Sequence, residues 1–206
     1  MITKIKDHVV KHGDVMKLGN ELMQGEKAHI FYSDPPWGVG NLRYWQTMNN
    51  KMTGAERTDQ DLDLFLNKIF TLAANYTKPN GIIFIEYGVK WESNILELAK
   101  QYGLKHLGTA LPQYRSGSRL LPLHLHLFSK TAQNLPNGYL ETIKDTYGYT
   151  TLRNAVAPFV KAGEIILDPC CGMGYSAQLC VDNQMRFRGN ELNAKRLEKT
   201  KARLNK

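Results

Sequence analysis

Short apolar runs alternate with stretches of helical spacing along the chain. AHIFYS (28–33) and the Ile-rich GIIFIEYG (81–88) predict buried strands. Between them, DLDLFLNKIFTLAANYT (61–77) spaces Leu and Phe on one helical face and stops before Pro79, Asn80 and Gly81. ESNILELAKQYG (92–103) predicts a helix ending at Gly103. In PLHLHLFSK (122–130), His124 and His126 alternate with leucines as one face of a strand. TLRNAVAPFVK (151–161) reads as a helix, with Pro158 marking a kink or an early end. EIILD (164–168) predicts a strand, followed by a Gly-rich turn and the helical SAQLCVDNQ. RFRGNEL (186–192) predicts a strand ending near Glu191, and NAKRLEKTKARL a final helix. This alternation predicts one α/β domain over residues 1–206, with a mostly parallel sheet covered by helices on both faces. Ligands of such sheets sit beyond the carboxyl ends of the strands, where DPPW (34–37) and DPCCGMG (168–174) both fall.

Two stretches, 38–60 and 110–122, have no clear period and are expected to be long irregular loops. The first carries Arg43, Tyr44 and Trp45; the second carries Tyr114, Arg115 and Arg119. Phosphate pairing and base stacking need those two residue types, so nucleic-acid contact is favoured over a plain surface loop.

Composition narrows the classes. A chain of 206 residues suits one domain. No apolar run approaches the roughly 18 residues of a membrane helix. The charged N-terminus, MITKIKDHVVKHGD, has no apolar signal core, so a soluble cytoplasmic protein is expected. The 3 cysteines, two of them adjacent, argue against a disulfide framework. A metal site would have to recruit His124 and His126, and without paired CxxC spacing none is expected. The net charge of +8 gathers partly in Arg186, Arg188, Lys195, Arg196, Lys199, Lys201, Arg203 and Lys206, with only Glu191 and Glu198 against them. Such a run is ordinarily a solvated helix face, yet it also suits a polyanionic partner.

ILDPCCGMGYSA (166–177) sets an acid at a strand end, then Gly172 and Gly174, then a helix. Glycines permit a tight turn and close approach of a ligand. Glu191 follows about 20 residues on, where an acid can accept from ribose hydroxyls. The turn lacks the Gly-Lys-Ser/Thr of a triphosphate site and the full GxGxxG of a pyrophosphate site. An adenosine ligand without phosphates fits, and S-adenosylmethionine is the obvious one.

Together, DPPW and DPCCGMG resemble the motifs of S-adenosylmethionine-dependent amino-methyltransferases, which methylate exocyclic amines of bases. The catalytic motif precedes the cofactor motif, as in the circularly permuted β-type class of DNA enzymes. The resemblance covers most of the chain and implies a Rossmann-like methyltransferase fold. HGD (12–14) resembles that family's N-terminal Gly-Asp, TTLRNAVAPFV its helix over the methionine end, and GNEL its ribose-binding strand end. The implied cofactor set is Asp14, Asp34, Asp168, Pro169, Cys170, Gly172, Gly174 and Glu191. The implied catalytic set is Asp34, Pro35, Pro36 and Trp37. Asp34 and the Pro35 carbonyl would accept from the amine, and Trp37 would stack on a base flipped from its duplex. Asp as the first motif residue points to adenine N6 in DNA.

Cytosine N4 and RNA adenine are the neighbouring readings, since an RNA adenine methyltransferase family shares DPPW. A catalytically silent nucleic-acid-binding subunit is the reading from another class. No separate target-recognition domain is visible, so loops 38–60 and 110–122, a homodimer or a separate specificity partner would supply that role.

Overall fold

Successive strand residues point to opposite faces of a sheet, and here both faces are apolar at the centre. The computed structural model describes the backbone of residues 1–53 and 61–206, and the side chains of 1–48 and 61–206. The chain opens with an antiparallel pair, β1 (Ile2–Ile5) and β2 (His8–His12). Strand β3 (Ala28–Ser33) runs through Asp34–Trp37 into helix α1 (Gly38–Thr53). Helix α2 (Leu62–Tyr76) leads to β4 (Thr77–Tyr87), then α3 (Glu92–Gln101) and β5 (Lys105–Ala110). A hairpin of β6 (Gln113–Ser116) and β7 (Arg119–Pro122) precedes β8 (His124–Ser129). The last third holds α4 (Tyr149–Val156), β9 (Ile165–Asp168), α5 (Tyr175–Asp182), β10 (Arg186–Glu191) and α6 (Ala194–Leu204).

The main sheet has the order β1-β2-β10-β9-β3-β4-β8-β5. Its centre, β2-β10-β9-β3-β4, is parallel, while β1 and β8 run antiparallel to their neighbours. The mostly parallel sheet with helices on both faces is as the sequence predicts. One core joins Phe31, Ile83 and Ile85 to Phe65, Ile69 and Phe70 of α2 and Ile95 of α3. The other joins Ile30, Phe84 and Ile166 to Leu152 of α4, Leu179 of α5 and Leu197 of α6. Asp61 caps α2 by accepting from the Asp63 and Leu64 amides, and the helix ends before Thr77. Helix α4 stops at Val156 and passes into a 3-10 turn containing Pro158, as the proline signalled.

Both expected irregular loops are regular. Residues 38–53 form α1, which buries Leu42 and leaves Val39, Arg43 and Tyr44 exposed. Residues 54–60 of that expected loop lie outside the described residues. Residues 113–122 form the β6–β7 hairpin, where Ser116 pairs with Arg119 and Gly117 takes a φ of 61° at the tip. The basic run is also partly consumed inside the fold. Arg188 is buried and pairs with Glu26 at 2.9 Å, and Arg186 reaches the same carboxylate at 2.7 Å. No helix among the described residues is long and apolar enough to cross a membrane.

Phe70 is fully buried, with its ring 6.2 Å from that of Phe128 across the α2–sheet interface. Phe70→Ala is expected to lower the unfolding free energy by about 3–5 kcal/mol in a urea titration followed by circular dichroism. A loss below about 1 kcal/mol would show that this face is not core.

Candidate functional site at the switch point of the sheet

Strands β3 and β9 are parallel neighbours, with Phe31 opposite Leu167. From β3 the chain proceeds through α1 and α2 to β4 on one side. From β9 it proceeds through α5 to β10 on the other side. Connections leaving in opposite directions open a crevice beyond the carboxyl ends of the strands. The two motifs found in the sequence, residues 34–37 and 168–174, both emerge there.

Consecutive parallel strands each deliver an acid to that edge. Asp14 follows β2, Glu191 ends β10, Asp168 ends β9, Asp34 follows β3, and Glu86 lies one residue from the end of β4. Asp14 caps a 3-10 turn by accepting from the Met16 amide at 2.9 Å. Asn190 ties this segment to the Gly-rich turn, donating to the carbonyls of Gly13 at 3.0 Å and Pro169 at 3.2 Å.

The turn is held from below. Asp168 is buried and accepts from the Cys170 amide at 3.1 Å and from the Ser176 hydroxyl. Glu191 accepts from the Gly172 amide at 2.8 Å and the Asn193 amide at 2.7 Å. Both carboxylates thus shape the loop. Gly174 has a φ of 78°, and a Cβ there would stand 2.8 Å from the Thr200 Cα of α6. Its glycine is required by helix packing as well as by the turn. Cys171 is buried, with its sulfur 3.9 Å from the Thr200 hydroxyl, while Cys170 is half-buried.

Pro35 is buried and Pro36 half-buried, which fixes the exit of β3. The Trp37 indole N–H donates to Asp34 Oδ1 at 3.0 Å, and its amide donates to Asn41 Oδ1 at 3.0 Å. The rings of Trp37 and Tyr114 lie 4.6 Å apart at 84°. Next in sequence, Gly38 donates its amide to the Tyr87 hydroxyl at 3.1 Å. Gly38 has a φ of 71°, and a Cβ there would meet the Trp91 ring at 2.4 Å. Trp37, Tyr87, Trp91 and Tyr114 therefore wall the β4 side of the motif.

The acids are raised together. Burial lifts Asp34 to about 6, against the opposing pull of Trp37 and Arg196. Its surface opens to solvent, so water screens part of that effect. Burial and then the charge of Asp34 lift Glu86 to about 8. Burial lifts Asp168 to about 7 and raises Glu191 as well.

The expected nucleic-acid residues separate into two places. Tyr114 joins Trp37, while Arg115 on the same hairpin lies 5.2 Å over the Tyr147 ring, and Arg119 is exposed. On α1, Arg43 and Tyr44 are exposed, and Trp45 packs under the Arg196 guanidinium at 4.1 Å. Sequence reasoning passed over Glu86, Tyr32, Asn190 and Arg196. The Tyr32 hydroxyl donates to Glu86 at 2.5 Å. An acid between Ile85 and Tyr87 in a strand predicted to be buried was the available signal for Glu86. Arg196 bears on both Asp34 and Glu191, but nothing separates it from the other bases of its helix in sequence.

No protein-family model and no curated protein matches the chain. Solved structures do match. M1.HpyAVI is 18% identical, with 96% of this chain and 98% of that chain covered and a TM-score of 0.66. TTHA0409, a DNA modification methylase from Thermus thermophilus, is 16% identical, with 96% and 94% covered and a TM-score of 0.68. PvuII DNA methyltransferase (cytosine-N4-specific) is 10% identical, with 95% and 85% covered and a TM-score of 0.64. At these identities the likeness is one of architecture: this chain has the α/β fold of the DNA methyltransferases among them, over nearly its whole length.

Proposed function

We propose that this chain is an S-adenosylmethionine-dependent DNA methyltransferase acting on an exocyclic amine, with adenine N6 as its target. The observation that carries the reading is the meeting of Asp34 with the Gly-rich turn at the crevice between β3 and β9. The donor set fits the cofactor. Residues 168–174 supply no Lys or Arg for a phosphate, and the row of acids suits a cationic ligand bearing ribose hydroxyls. Structures of M1.HpyAVI and TTHA0409 have been solved with S-adenosylmethionine. Asp14, Glu191 and the backbone of 169–174 would hold the adenosine part, with Asp168 setting the turn. When bound, S-adenosylmethionine supplies a methyl group already activated on a sulfonium.

The remaining work falls to the chain. The lone pair of an exocyclic amine is delocalised into the ring. Asp34 and the Pro35 carbonyl accept from its two N–H groups and draw the nitrogen toward tetrahedral geometry. Asp34 stabilises the positive charge that develops there. With Asp34 at about 6 and Glu86 at about 8, Asp34 carries the charge at neutral pH and Glu86 keeps its proton. Trp37 steadies Asp34 through its indole N–H and offers its face to the base. Flipping that base costs a few kcal/mol, and stacking returns about 1–3 kcal/mol. Arg43, Arg115 and Arg119 are exposed and placed to reach the backbone of the duplex. Adenine rests on the leading Asp of DPPW. PvuII DNA methyltransferase, of the same fold, is cytosine-N4-specific, so duplexes offering only one of the two bases test that choice.

Asp34→Asn is expected to lower kcat by about 100- to 1,000-fold while calorimetry still detects S-adenosylmethionine binding. Parental turnover would remove Asp34 from the mechanism. For Trp37→Ala, a loss in kcat/KM of about 10- to 100-fold at unchanged cofactor affinity is expected from lost stacking. Equal rates on duplex DNA would refute that role. The pH profile follows from Asp34 needing to be ionised: kcat/KM should fall as pH drops through about 6 and level off above it. A flat profile between pH 5 and 8 would contradict the assignment.

A further inference from the structure

On the other face of the sheet from Glu86, three side chains that the proposed reaction does not use converge. Strand β8 turns His124 and His126 to the face that carries Phe128 and the α3 core. Glu92 is the first residue of α3. One ligand atom from each of Glu92, His124 and His126 lies within 4.8 Å of the others. His126 is fully buried and His124 is 7% exposed. Among the described residues, His124 Nδ1 and His126 Nε2 are buried without a hydrogen-bond partner. His124 Nδ1 stands 3.8 Å from Glu92 Oε1, beyond hydrogen-bonding distance. Two buried unpartnered nitrogens facing one carboxylate are costly unless something else satisfies them.

We infer that Glu92, His124 and His126 form a binding site for a divalent transition-metal ion of the zinc class, which clamps the root of the β6–β7 hairpin. The donor set, two imidazoles and a carboxylate, suits that class. His126 has the supporting shell that ligating histidines need. Its Nδ1 lies 3.1 Å from the Thr109 hydroxyl, which is 3.0 Å from His106 Nε2. When that hydroxyl donates to His106 and accepts from His126 Nδ1–H, the Nε2 lone pair is left for the metal. Zinc bonds of about 2.0–2.2 Å bring tetrahedral ligand atoms to about 3.5 Å, so the cluster must contract. The half-exposed Glu92 side chain supplies that movement and the entry path. His124 lies directly after β7, and Tyr114 on β6 packs against Trp37. The ion would thus fix the base of the hairpin that carries Tyr114, Arg115 and Arg119. This inference replaces the sequence-based expectation of no metal and does not rest on the methyltransferase reading.

The test uses the full chain, stripped with chelator and titrated with zinc chloride and then cobalt chloride. One equivalent of zinc should bind, and Tm should rise by about 5 °C at a hundredfold excess over Kd. Bound cobalt should show the visible bands of a nitrogen and oxygen site without thiolate charge transfer. Glu92→Gln, at a half-exposed position, should weaken zinc binding at least tenfold, and His124→Ala should abolish it. Three outcomes would overturn the inference. They are no zinc uptake by the parent, equal uptake by parent and Glu92→Gln, and loss of uptake in Cys170→Ser or Cys171→Ser with retention in His124→Ala.

Discussion

Parallel pairing of β3 with β9 is the constraint on which the rest of the site depends. The two strands lie far apart in sequence, and their register, Phe31 against Leu167, sets the two motif turns side by side. Their helical connections then diverge, so the gap stays uncovered. A slip of one residue would exchange the faces of Ile30 and Phe31, which belong to different cores. It would also turn Asp34 away from the Gly-rich turn. The geometry of the crevice is therefore protected by the packing of both layers.

Electrostatics divides the molecule. A chain of net charge +8 concentrates acids along one edge of its sheet. Folding raises Asp34, Asp168 and Glu86 to about 6, 7 and 8, chiefly through burial. A group whose folded pKa is raised favours the folded state while protonated. That contribution is full below the ordinary carboxylate range and is lost as pH rises through about 6 to 8. At neutral pH the empty crevice is thus a place of unrelieved negative charge, and a cationic occupant would offset it. The basic side chains lie elsewhere, apart from Arg196, which bears on Asp34 and Glu191 while resting on Trp45.

Much of the architecture was legible in the chain because its signals are local. Ile-rich runs marked β4 and β9, and Leu and Phe spacing marked α2. The two turns carried their own chemistry. Elements without local signals were missed. Helix α1 is largely polar and begins at glycines, so nothing in its period betrays it; it forms where Leu42 can join the core and Gly38 can seat under Trp91. The β6–β7 hairpin lies outside the main sheet, and its strands are too short to show alternation. Strands β1 and β2 were hidden by lysines and histidines that alternate with Val9 and Ile5. Within the site, Asp34 and Glu191 were readable from motifs. Glu86, Asn190 and the Glu92–His124–His126 cluster required tertiary contacts, since their partners come from other strands.

Strands β9 and β10 fill the middle of the sheet but are the last to be synthesised. While the nascent chain is still emerging from the ribosome, β2 and β3 each present an open edge to a vacancy that only later residues can close. Such edges are templates for mispairing. The chain order that brings the two turns together thus leaves its sheet in two halves until translation is nearly finished, and the pairing of Glu26 with Arg186 and Arg188 marks a late seam between early and late segments.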